Sequence, residues 1–348
     1  AHGLTVTDVP KSRQYIVFNG PAGGFETAFG TTLRTYRHNH HTLVAPSTAP
    51  NLPTTIARLV SGVSLNDGNL LTRPNIVRQG QDLSAEATTN ATPTPAPTAI
   101  NAKCSNYTGE HTAVAPLAYG KRVFPTFQCG YVPDQLRSAH SVDALVSKGV
   151  AGQEQTVAVV GVYASPTIVQ DTNTYSRQHG EPELTAATYS QDVAPPSQYR
   201  YAEECGGLGN WQGEQSLDVQ SIHAIAPAAH ILYAGAKDCG AGLEVELSHI
   251  LDNGLANIVS NSYGNGGENL DVETIKGIVN LELQAAGEGI GLYFASGDDG
   301  DRSADVGSAQ PEFPASSPWV TAVGGDSVGL DHNGKKTFET GWGNKIGR

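Results

Sequence analysis

The sequence has few charged residues and no basic segment. Charged residues make up 16% of the 348 residues, and the net charge at pH 7 is −13. Proteins that bind a phosphate backbone carry clustered Lys and Arg side chains, so we expect no nucleic-acid partner. The sequence also lacks any stretch near the ~20 apolar residues that a membrane-spanning helix needs. We therefore expect no membrane partner.

Cysteine occurs only four times, without a C-x-x-C pair, and no two histidines have the H-x-x-x-H spacing. Zinc sites use closely spaced ligands, so we expect no metal site in this chain and two disulfides instead. Of the three possible connectivities, the sequential one closes the shortest loops, which favours Cys104–Cys129 and Cys205–Cys239. Disulfides persist outside the reducing cytosol, which indicates a secreted protein.

Composition divides the chain into three parts. Residues 79–103 are rich in Thr, Ala and Pro, which is typical of an extended, exposed linker. Residues 1–78 hold too little apolar material for a stable core of their own, so we expect them to pack on a larger domain. Residues 104–348 alternate apolar runs with helical patterns, which indicates one large domain.

The apolar runs after residue 104 predict a parallel sheet. Five of them are continuous and rich in β-branched residues: Thr156–Tyr163, His230–Tyr233, Ala256–Ser260, Ile290–Phe294 and Trp319–Val323. Such strands are covered on both faces, as in parallel sheets. We therefore predict an α/β fold with a doubly wound parallel sheet, in which ligands bind at the carboxyl ends of the strands.

Residues 213–227 predict a helix with two acidic side chains that ends at a proline. Its inward face is predicted from apolar residues at roughly helical spacing, Leu217, Ile222 and Ile225. Glu214 and Asp218 are four residues apart, so both carboxylates project from one face. If exposed, they form an acidic first turn that suits the helix dipole. If partly buried, one pKa must rise, and the pair becomes an acid beside a base.

Polar residues follow two of the predicted strands. Ser260, Ser262 and Gly264 stand where a substrate backbone could pair. Asp298 and Asp299 come directly after another buried strand. An alternative for this second segment is a cation loop, because its acidic residues approximate the spacing of oxygen ligands: Asp299, Asp301 and Asp305.

These segments, in this order, resemble the sedolisin family of serine-carboxyl peptidases. Gly213-Glu-Gln-Ser-Leu-Asp218 is similar to the family's E-x-x-x-D helix. Other segments are similar to the domain entry, the substrate-lining S-x-S-[WY]-G, the S/A-G-D-S-G loop and the F-P-A-S-S-P strand: Cys129–His140, Val259–Gly264, Ser296–Gly300 and Phe313–Gly325. Residues 1–65 resemble the later half of the family's activation pro-domain.

The resemblance implies a subtilisin-like fold, a polypeptide substrate and a role for each site residue. It makes Glu214 the general base towards a serine, Asp218 the residue that orients and polarises Glu214, and Asp298 the acid of the oxyanion hole. It also implies a substrate-binding set, Ser260, Ser262, Tyr263 and Gly264. A carboxylate base suits acid pH, because a histidine is protonated below pH ~6.5. A carboxyl group donates to an oxyanion only while it is protonated.

The family's nucleophile segment, G-G-T-S-x-x-A/S-P, does not occur in this sequence. The resemblance places the serine and the ligands of a calcium cofactor beyond Arg348. We therefore expect a fold that is incomplete at its C-terminal end, with the remainder of the catalytic domain bound as a separate chain. Ala1 starts inside folded sequence, so we also expect processing upstream of it.

The chain departs from the family at two places near the predicted site. Asp299 replaces a serine, and its charge would raise the pKa of Asp298. Gly161 stands where some relatives have an acidic residue that supports the Glu–Asp pair.

Two functions of other classes stay open, an acid glycosidase and a non-catalytic binding module or inactive fragment. A glycosidase needs two carboxylates about 5–9 Å apart, together with an aromatic-lined cleft. The choice between endopeptidase and tripeptidyl-peptidase action also stays open.

Overall fold

The computed structural model describes residues 2–38, 41–66, 72–74, 104–266, 268, 270–303 and 307–341. The chain divides into two compact units, Ala1–Asn75 with Leu145–Gly324 and Ile76–Ala144 with Gly325–Arg348. The predicted linker, 79–103, lies outside the described residues, and the predicted boundaries at residues 78 and 103 stay predictions.

The N-terminal residues form short strands and two short helices. In chain order these are β1 (Thr5–Asp8), β2 (Val17–Asn19), α1 (Ala22–Phe29), β3 (Leu33–His38), β4 (His41–Pro46), α2 (Thr54–Ala57) and β5 (Arg73–Pro74). β1 pairs with β2 and β3 with β4, both antiparallel. α1 ends at Gly30, whose φ of 58° is a conformation that glycine adopts without steric cost.

The remaining elements alternate strands and helices over most of their length. They are β6 (His111–Ala118), β7 (Lys121–Thr126), α3 (Pro133–Ala139), α4 (Asp143–Val146), β8 (Thr156–Val162), α5 (Ile168–His179), β9 (Tyr189–Val193), α6 (Leu208–Ile225), β10 (His230–Ala236), α7 (Ala241–Asn253), β11 (Ile258–Asn261), β12 (Tyr263–Gly264), α8 (Val272–Glu288), β13 (Gly291–Ala295), β14 (Thr321–Val323), β15 (Asp326–Leu330) and β16 (Lys336–Gly341). Within the described ranges, no helix is both long enough and apolar enough to cross a membrane.

Six strands form one parallel sheet in the order β14-β13-β11-β8-β10-β9. Five of them coincide with the predicted apolar runs. The edge strand β9 is not predicted by that pattern, because three of its five residues are polar: Ser190, Gln191 and Asp192. An edge strand has one strand neighbour fewer to cover it, so it tolerates a less apolar sequence.

Helices cover both faces of this sheet. Successive side chains of β8 enter two different apolar clusters, as a strand's alternation requires. Val160 belongs to the cluster that contains Leu247 of α7, whereas Val159 belongs to the cluster with Ile168 of α5 and Val219 of α6. The predicted α/β fold with a doubly wound parallel sheet is confirmed.

The described N-terminal residues are held on α7 and α8 by hydrogen bonds to acidic side chains. The backbone nitrogen of Ser12 donates to Asp252 of α7 at 2.8 Å. Asp271, the residue before α8, accepts from Ser64 Oγ at 3.0 Å and from Asn66 Nδ2 at 2.6 Å. The N-terminal residues therefore pack on the larger domain through its helices.

The second unit contains two antiparallel hairpins, β6 with β7 and β15 with β16. The Cys104–Cys129 disulfide lies in this unit. The backbone nitrogen of Thr108 donates to the Leu330 carbonyl at 2.9 Å, which joins the segment before β6 to β15.

Two Leu→Ala substitutions test the position of the core. Leu247 is 2% exposed, whereas Leu217 on α6 is 51% exposed. We expect Leu247→Ala to lower the free energy of unfolding by about 2–5 kcal/mol, because it leaves a cavity in a packed interior. We expect Leu217→Ala to lower it by less than about 1 kcal/mol. Denaturant unfolding measures both, and equal losses would contradict this core.

Candidate active site

The first turn of α6, the helix that bears the predicted acidic pair, is fixed by three local features. Gly207 precedes it with a φ of 93°, which favours glycine. The Cys205–Cys239 disulfide ties the same segment to the residues before α7, and both disulfides follow the predicted pairing. The indole of Trp211 donates to the Cys205 carbonyl at 2.8 Å, and Trp211 is fully buried.

The buried face of α6 combines apolar residues with polar ones. Glu214 is 4% exposed and Gln215 is 1% exposed, whereas Leu217, which is predicted to face inward, is largely exposed. Gln215 contributes to this orientation, because its amide accepts from the Ser165 backbone at 2.6 Å and donates to the Tyr189 hydroxyl at 3.2 Å. The prediction for Leu217 is therefore wrong, and Glu214 is not part of a solvated turn.

Burial and mutual repulsion raise the proton affinity of the acidic pair. Burial raises the pKa of Glu214, and the charges of Asp218 and Asp298 raise it further. Burial also raises the pKa of Asp218, and the hydroxyl of Ser262, which donates to Asp218 Oδ1 at 2.7 Å, acts in the opposite direction. Asp218 and Asp298 thus lie close enough to Glu214 for their charges to favour its protonated form.

Asp298 lies in a tight loop that follows β13. Gly297 has a φ of 99°, and a Cβ there would lie 2.3 Å from Cδ of the buried Glu312, so the loop requires glycine. Burial raises the pKa of Asp298, the charge of Asp299 raises it further, and Arg302 lowers it. Arg302 forms an ion pair with Asp299, and its Nε lies 3.4 Å from Oε1 of Glu312.

Three buried aromatic rings connect the elements that carry the acidic groups. The ring of Trp211 on α6 lies 6.3 Å from that of Tyr263, which lies 5.7 Å from Phe294 of β13 in an edge-to-face arrangement. Tyr263 is the neighbour of Ser262, and Phe294 is four residues before Asp298. This packing sets the distance of α6 from the segment that contains Ser262 and from the loop that contains Asp298.

The predicted substrate-binding segment pairs with β5. Tyr263 lies opposite Pro74 and Gly264 opposite Arg73, in an antiparallel register. The hydroxyl of Thr72 donates to Asn265 Oδ1 at 3.0 Å, which extends the contact by one residue. Residues 72–74 therefore occupy the strand edge at which we expect a substrate backbone to pair.

The other predicted substrate-binding residues have different surroundings. The Tyr263 ring is buried, and its hydroxyl donates to Asn261 Oδ1 at 3.1 Å. Ser260 lies within β11, between β8 and β13, and the Ser262 hydroxyl is bonded to Asp218. Of the four predicted residues, Tyr263 and Gly264 pair with β5 through their backbones.

Gly161 makes room for a tyrosine beside the acidic pair. A Cβ on Gly161 would lie 2.7 Å from the hydroxyl oxygen of Tyr233. Tyr233 is buried, and burial followed by the charge of Asp218 raises its pKa well above the ordinary value, so it stays neutral. A neutral hydroxyl thus fills the space where the family resemblance implies an acidic residue in some relatives.

Among the residues that the structure describes, no group of three or more His, Cys, Asp or Glu side chains could hold a metal ion. In the alternative cation loop, Asp299 forms an ion pair with Arg302. Asp301 accepts two hydrogen bonds from Ser303, one from the Ser303 backbone nitrogen and one from the Ser303 hydroxyl. The third predicted ligand of that loop, Asp305, lies outside the described residues. The two described carboxylates of this loop, Asp299 and Asp301, are thus engaged by protein groups.

Two features near the site have no clear signal in the sequence. Arg302 lies four residues after Asp298 in an acidic segment, and that local charge contrast is the one available hint. β5 is only two residues long and shows no apolar alternation, so its pairing with β12 depends on the tertiary structure alone.

Comparison with known proteins identifies a family model that matches the N-terminal residues and relatives that match nearly the whole chain. A family model described as Pro-kumamolisin, activation domain, matches residues 1–67. Kumamolisin from Bacillus sp. (strain MN-32) is 24% identical over 349 residues, which cover 98% of this chain and 54% of that protein. Tripeptidyl-peptidase 1 from Homo sapiens is 32% identical over 128 residues, which cover 35% of this chain and 23% of that protein.

A solved structure shares the fold. It is that of Pseudomonas sedolisin (serine-carboxyl proteinase) complexed with two molecules of pseudo-iodotyrostatin, with a TM-score of 0.50 and 23% identity. The match covers 61% of this chain and 58% of that one, and it confirms the subtilisin-like α/β fold. The chain spans about half the length of the curated relatives that it matches over 98% of its own length.

Substitution of Arg302 tests the electrostatics of the Asp298 loop. We expect Arg302→Gln to raise the pKa of Asp298 by about one unit, because it removes the cation that lowers this pKa and leaves the charge of Asp299 uncompensated. Arg302→Lys keeps the cation and is the matched control. Carboxyl ¹³C NMR titration measures the pKa, with the signal assigned by its loss in Asp298→Asn. An unchanged or lowered pKa in Arg302→Gln would contradict this arrangement.

Proposed function

This chain is a relative of the sedolisin peptidases and carries part of their activation domain, and on that premise we propose that it supplies the acidic groups of a serine-carboxyl peptidase. Its substrates are polypeptides, and its reaction is the hydrolysis of peptide bonds. The observation that carries the proposal is the cluster of Glu214, Asp218 and Asp298, in which Glu214 is buried and the charges of the other two raise its pKa.

In this proposal, Glu214 and Asp218 together act as the general base. The pair holds one proton and one negative charge, so it can accept one further proton. When a serine hydroxyl attacks the substrate carbonyl, Glu214 takes the hydroxyl proton and passes its own proton to Asp218. The serine is the one that the family resemblance places after Arg348.

Asp298 donates a hydrogen bond to the oxyanion that forms in this step. A carboxyl group can donate only while it is protonated, and the burial of Asp298 together with the charge of Asp299 favours the protonated form. The loop conformation at Gly297 holds this acid in place without a conformational search during the reaction.

The two ends of the pH range depend on different carboxyl groups. As the pH falls through the pKa of Asp218, the pair becomes neutral and the base is lost; as the pH rises through the pKa of Asp298, the oxyanion donor is lost. Burial raises both pKa values in the chain with residues 72–74 in place, where Arg73 and Pro74 pair with the strand edge next to Ser262. Removal of these residues admits water and lowers both pKa values towards the ordinary value of roughly 4, which supports acid activity.

Residues 2–74 act as an inhibitory pro-segment in this proposal. Their last described residues pair with Tyr263 and Gly264, so they compete with a substrate for the same backbone groups. The bonds from Ser64 and Asn66 to Asp271 add a second attachment point away from the acidic cluster.

The protein is secreted in this proposal, and it binds calcium. The two disulfides support secretion, because disulfides persist in oxidising compartments. Calcium is implied by the family resemblance, with ligands other than the described residues, and no step of the reaction above depends on it.

Replacement of Glu214 tests the catalytic assignment. We expect Glu214→Gln to lower kcat by about 10²–10⁴-fold, because an amide cannot accept the serine proton. Glu282→Gln is a matched control, since Glu282 is equally buried but is hydrogen-bonded to Ser317 rather than to the acidic cluster. The measurement is release of peptides from a protein substrate by the full-length protein after removal of the pro-segment. An unchanged kcat in Glu214→Gln, or release of sugar from a polysaccharide instead of peptides, would refute the assignment.

The attachment of the pro-segment through Asp271 predicts acid release. Burial alone would raise the pKa of Asp271, but hydrogen bonds from Thr274, Asn66 and Ser64 lower it below its ordinary value. A lowered pKa means that this attachment is present above pH ~4 and is lost as the pH falls through the lowered value.

After cleavage within residues 79–103, we expect the N-terminal fragment to stay bound at pH 7 and to dissociate as the pH falls through the lowered pKa of Asp271. We expect Asp271→Asn to weaken binding at pH 7 by about tenfold, which corresponds to the loss of a charge-assisted hydrogen bond. Asp171→Asn, on α5, is the control. Fragment dissociation is measured by size-exclusion chromatography, and pH-independent binding would contradict the prediction.

A further inference from the structure

We propose that Ser262 is a positioning residue, whose hydroxyl fixes the Asp218 carboxylate and thereby keeps the shared proton of the pair on Glu214. The inference rests on the proposed function, because it assigns Ser262 a task within the same site. It differs from the substrate-binding role that the family resemblance implies for this serine.

The geometry separates the side chain of Ser262 from the substrate strand. Ser262 stands between β11 and β12, and the next two residues use their backbones to pair with β5. Its hydroxyl donates to Asp218 Oδ1 at 2.7 Å, across the gap to α6. The backbone of residues 263–264 thus pairs with β5, whereas the side chain of Ser262 is hydrogen-bonded to Asp218.

The two carboxyl groups of the pair differ in their hydrogen bonding. Asp218 receives an O–H bond, whereas Oε2 of Glu214 is buried without a hydrogen-bond partner among the described residues. The Ser262 hydroxyl also lies near enough to Glu214 to lower its pKa, but it has one proton to donate, and its bond goes to Asp218. A donated proton stabilises the ionised form of its acceptor, so the negative charge settles on Asp218.

The other groups around the pair do not replace this donor. Tyr233 of β10 faces the pair from the sheet, and its hydroxyl donates to the Val162 carbonyl at 3.3 Å. Asp298 faces Glu214 from the loop after β13, and when ionised it raises the pKa of Glu214. Ser262 is therefore the group that distinguishes Asp218 from Glu214.

The position of the charge matters for the reaction. Glu214 can pass its proton to Asp218 only if Asp218 is ionised when the serine proton arrives. Without the Ser262 donor, the pKa of Asp218 rises, and a higher pH is needed before the pair carries its charge. The acid limb of the pH–rate profile therefore reports on Ser262.

The test compares three variants of the full-length, activated protein. Ser262→Ala removes the donor, and we expect the acid limb of kcat/KM to move up by about one to two pH units. We expect the basic limb, which depends on Asp298, to stay where it is in the unmodified protein. Ser262→Thr retains a hydroxyl and restores the limb. Ser216→Ala is the matched control, because Ser216 lies on α6 between the two acidic residues but donates to the Gln212 carbonyl at 3.0 Å.

Three outcomes would overturn the proposal. An unmoved acid limb with a raised KM would return Ser262 to substrate binding. Loss of activity at every pH, with Ser262 labelled by a serine-directed reagent in the unmodified protein, would make it a nucleophile. A shift of equal size in Ser216→Ala would show a general effect of losing a hydroxyl.

If the activated protein hydrolyses no peptide, the proposed function fails, and the inference is tested separately. ¹³C NMR titration of this chain then compares the pKa of Asp218 before and after Ser262→Ala. A rise supports the positioning role, and an unchanged value contradicts it.

Discussion

The burial of Glu214 beside the half-buried Asp218, on one face of α6, is the constraint on which the rest of the site depends. A carboxylate loses most of its hydration in a protein interior, so it must be protonated, paired or hydrogen-bonded. The raised pKa of Glu214 favours its protonated form, and Asp218 accepts a hydrogen bond from the Ser262 hydroxyl. Burial raises the pKa of both carboxyl groups, and this is why the pair can accept and release protons in the proposed reaction.

Packing of aromatic rings and a disulfide position the elements around the pair, in addition to the direct contacts of the two carboxyl groups. The contacting rings of Trp211, Tyr263 and Phe294 join α6 to β12 and β13. The Cys205–Cys239 disulfide fixes the start of α6. The result is that the carboxyl ends of neighbouring parallel strands deliver Ser262 and the Asp298 loop to the same place, as is general in open α/β sheets.

Regular features could be predicted from the sequence, whereas features that depend on tertiary contacts could not. The continuous apolar runs identified five of the six strands, because strands buried on both faces need such residues. The edge strand β9 escaped that pattern. On α6, the apolar periodicity selected Leu217, but Gln215 and Glu214 face inward, since local hydrogen bonds and the site outweigh the preference for an apolar face. The ion pair of Arg302 and the pairing of β5 join residues that no local pattern connects.

The central claim is that Glu214 and Asp218 share one proton inside the protein. Carboxyl ¹³C NMR titration of the intact chain, with each signal assigned by its Glu→Gln or Asp→Asn variant, measures this directly. We predict two coupled steps, with at least one carboxyl group still protonated above pH ~6, well above the ordinary value of roughly 4. Two independent titrations near pH 4 would show that both side chains are solvated, and the account would be wrong.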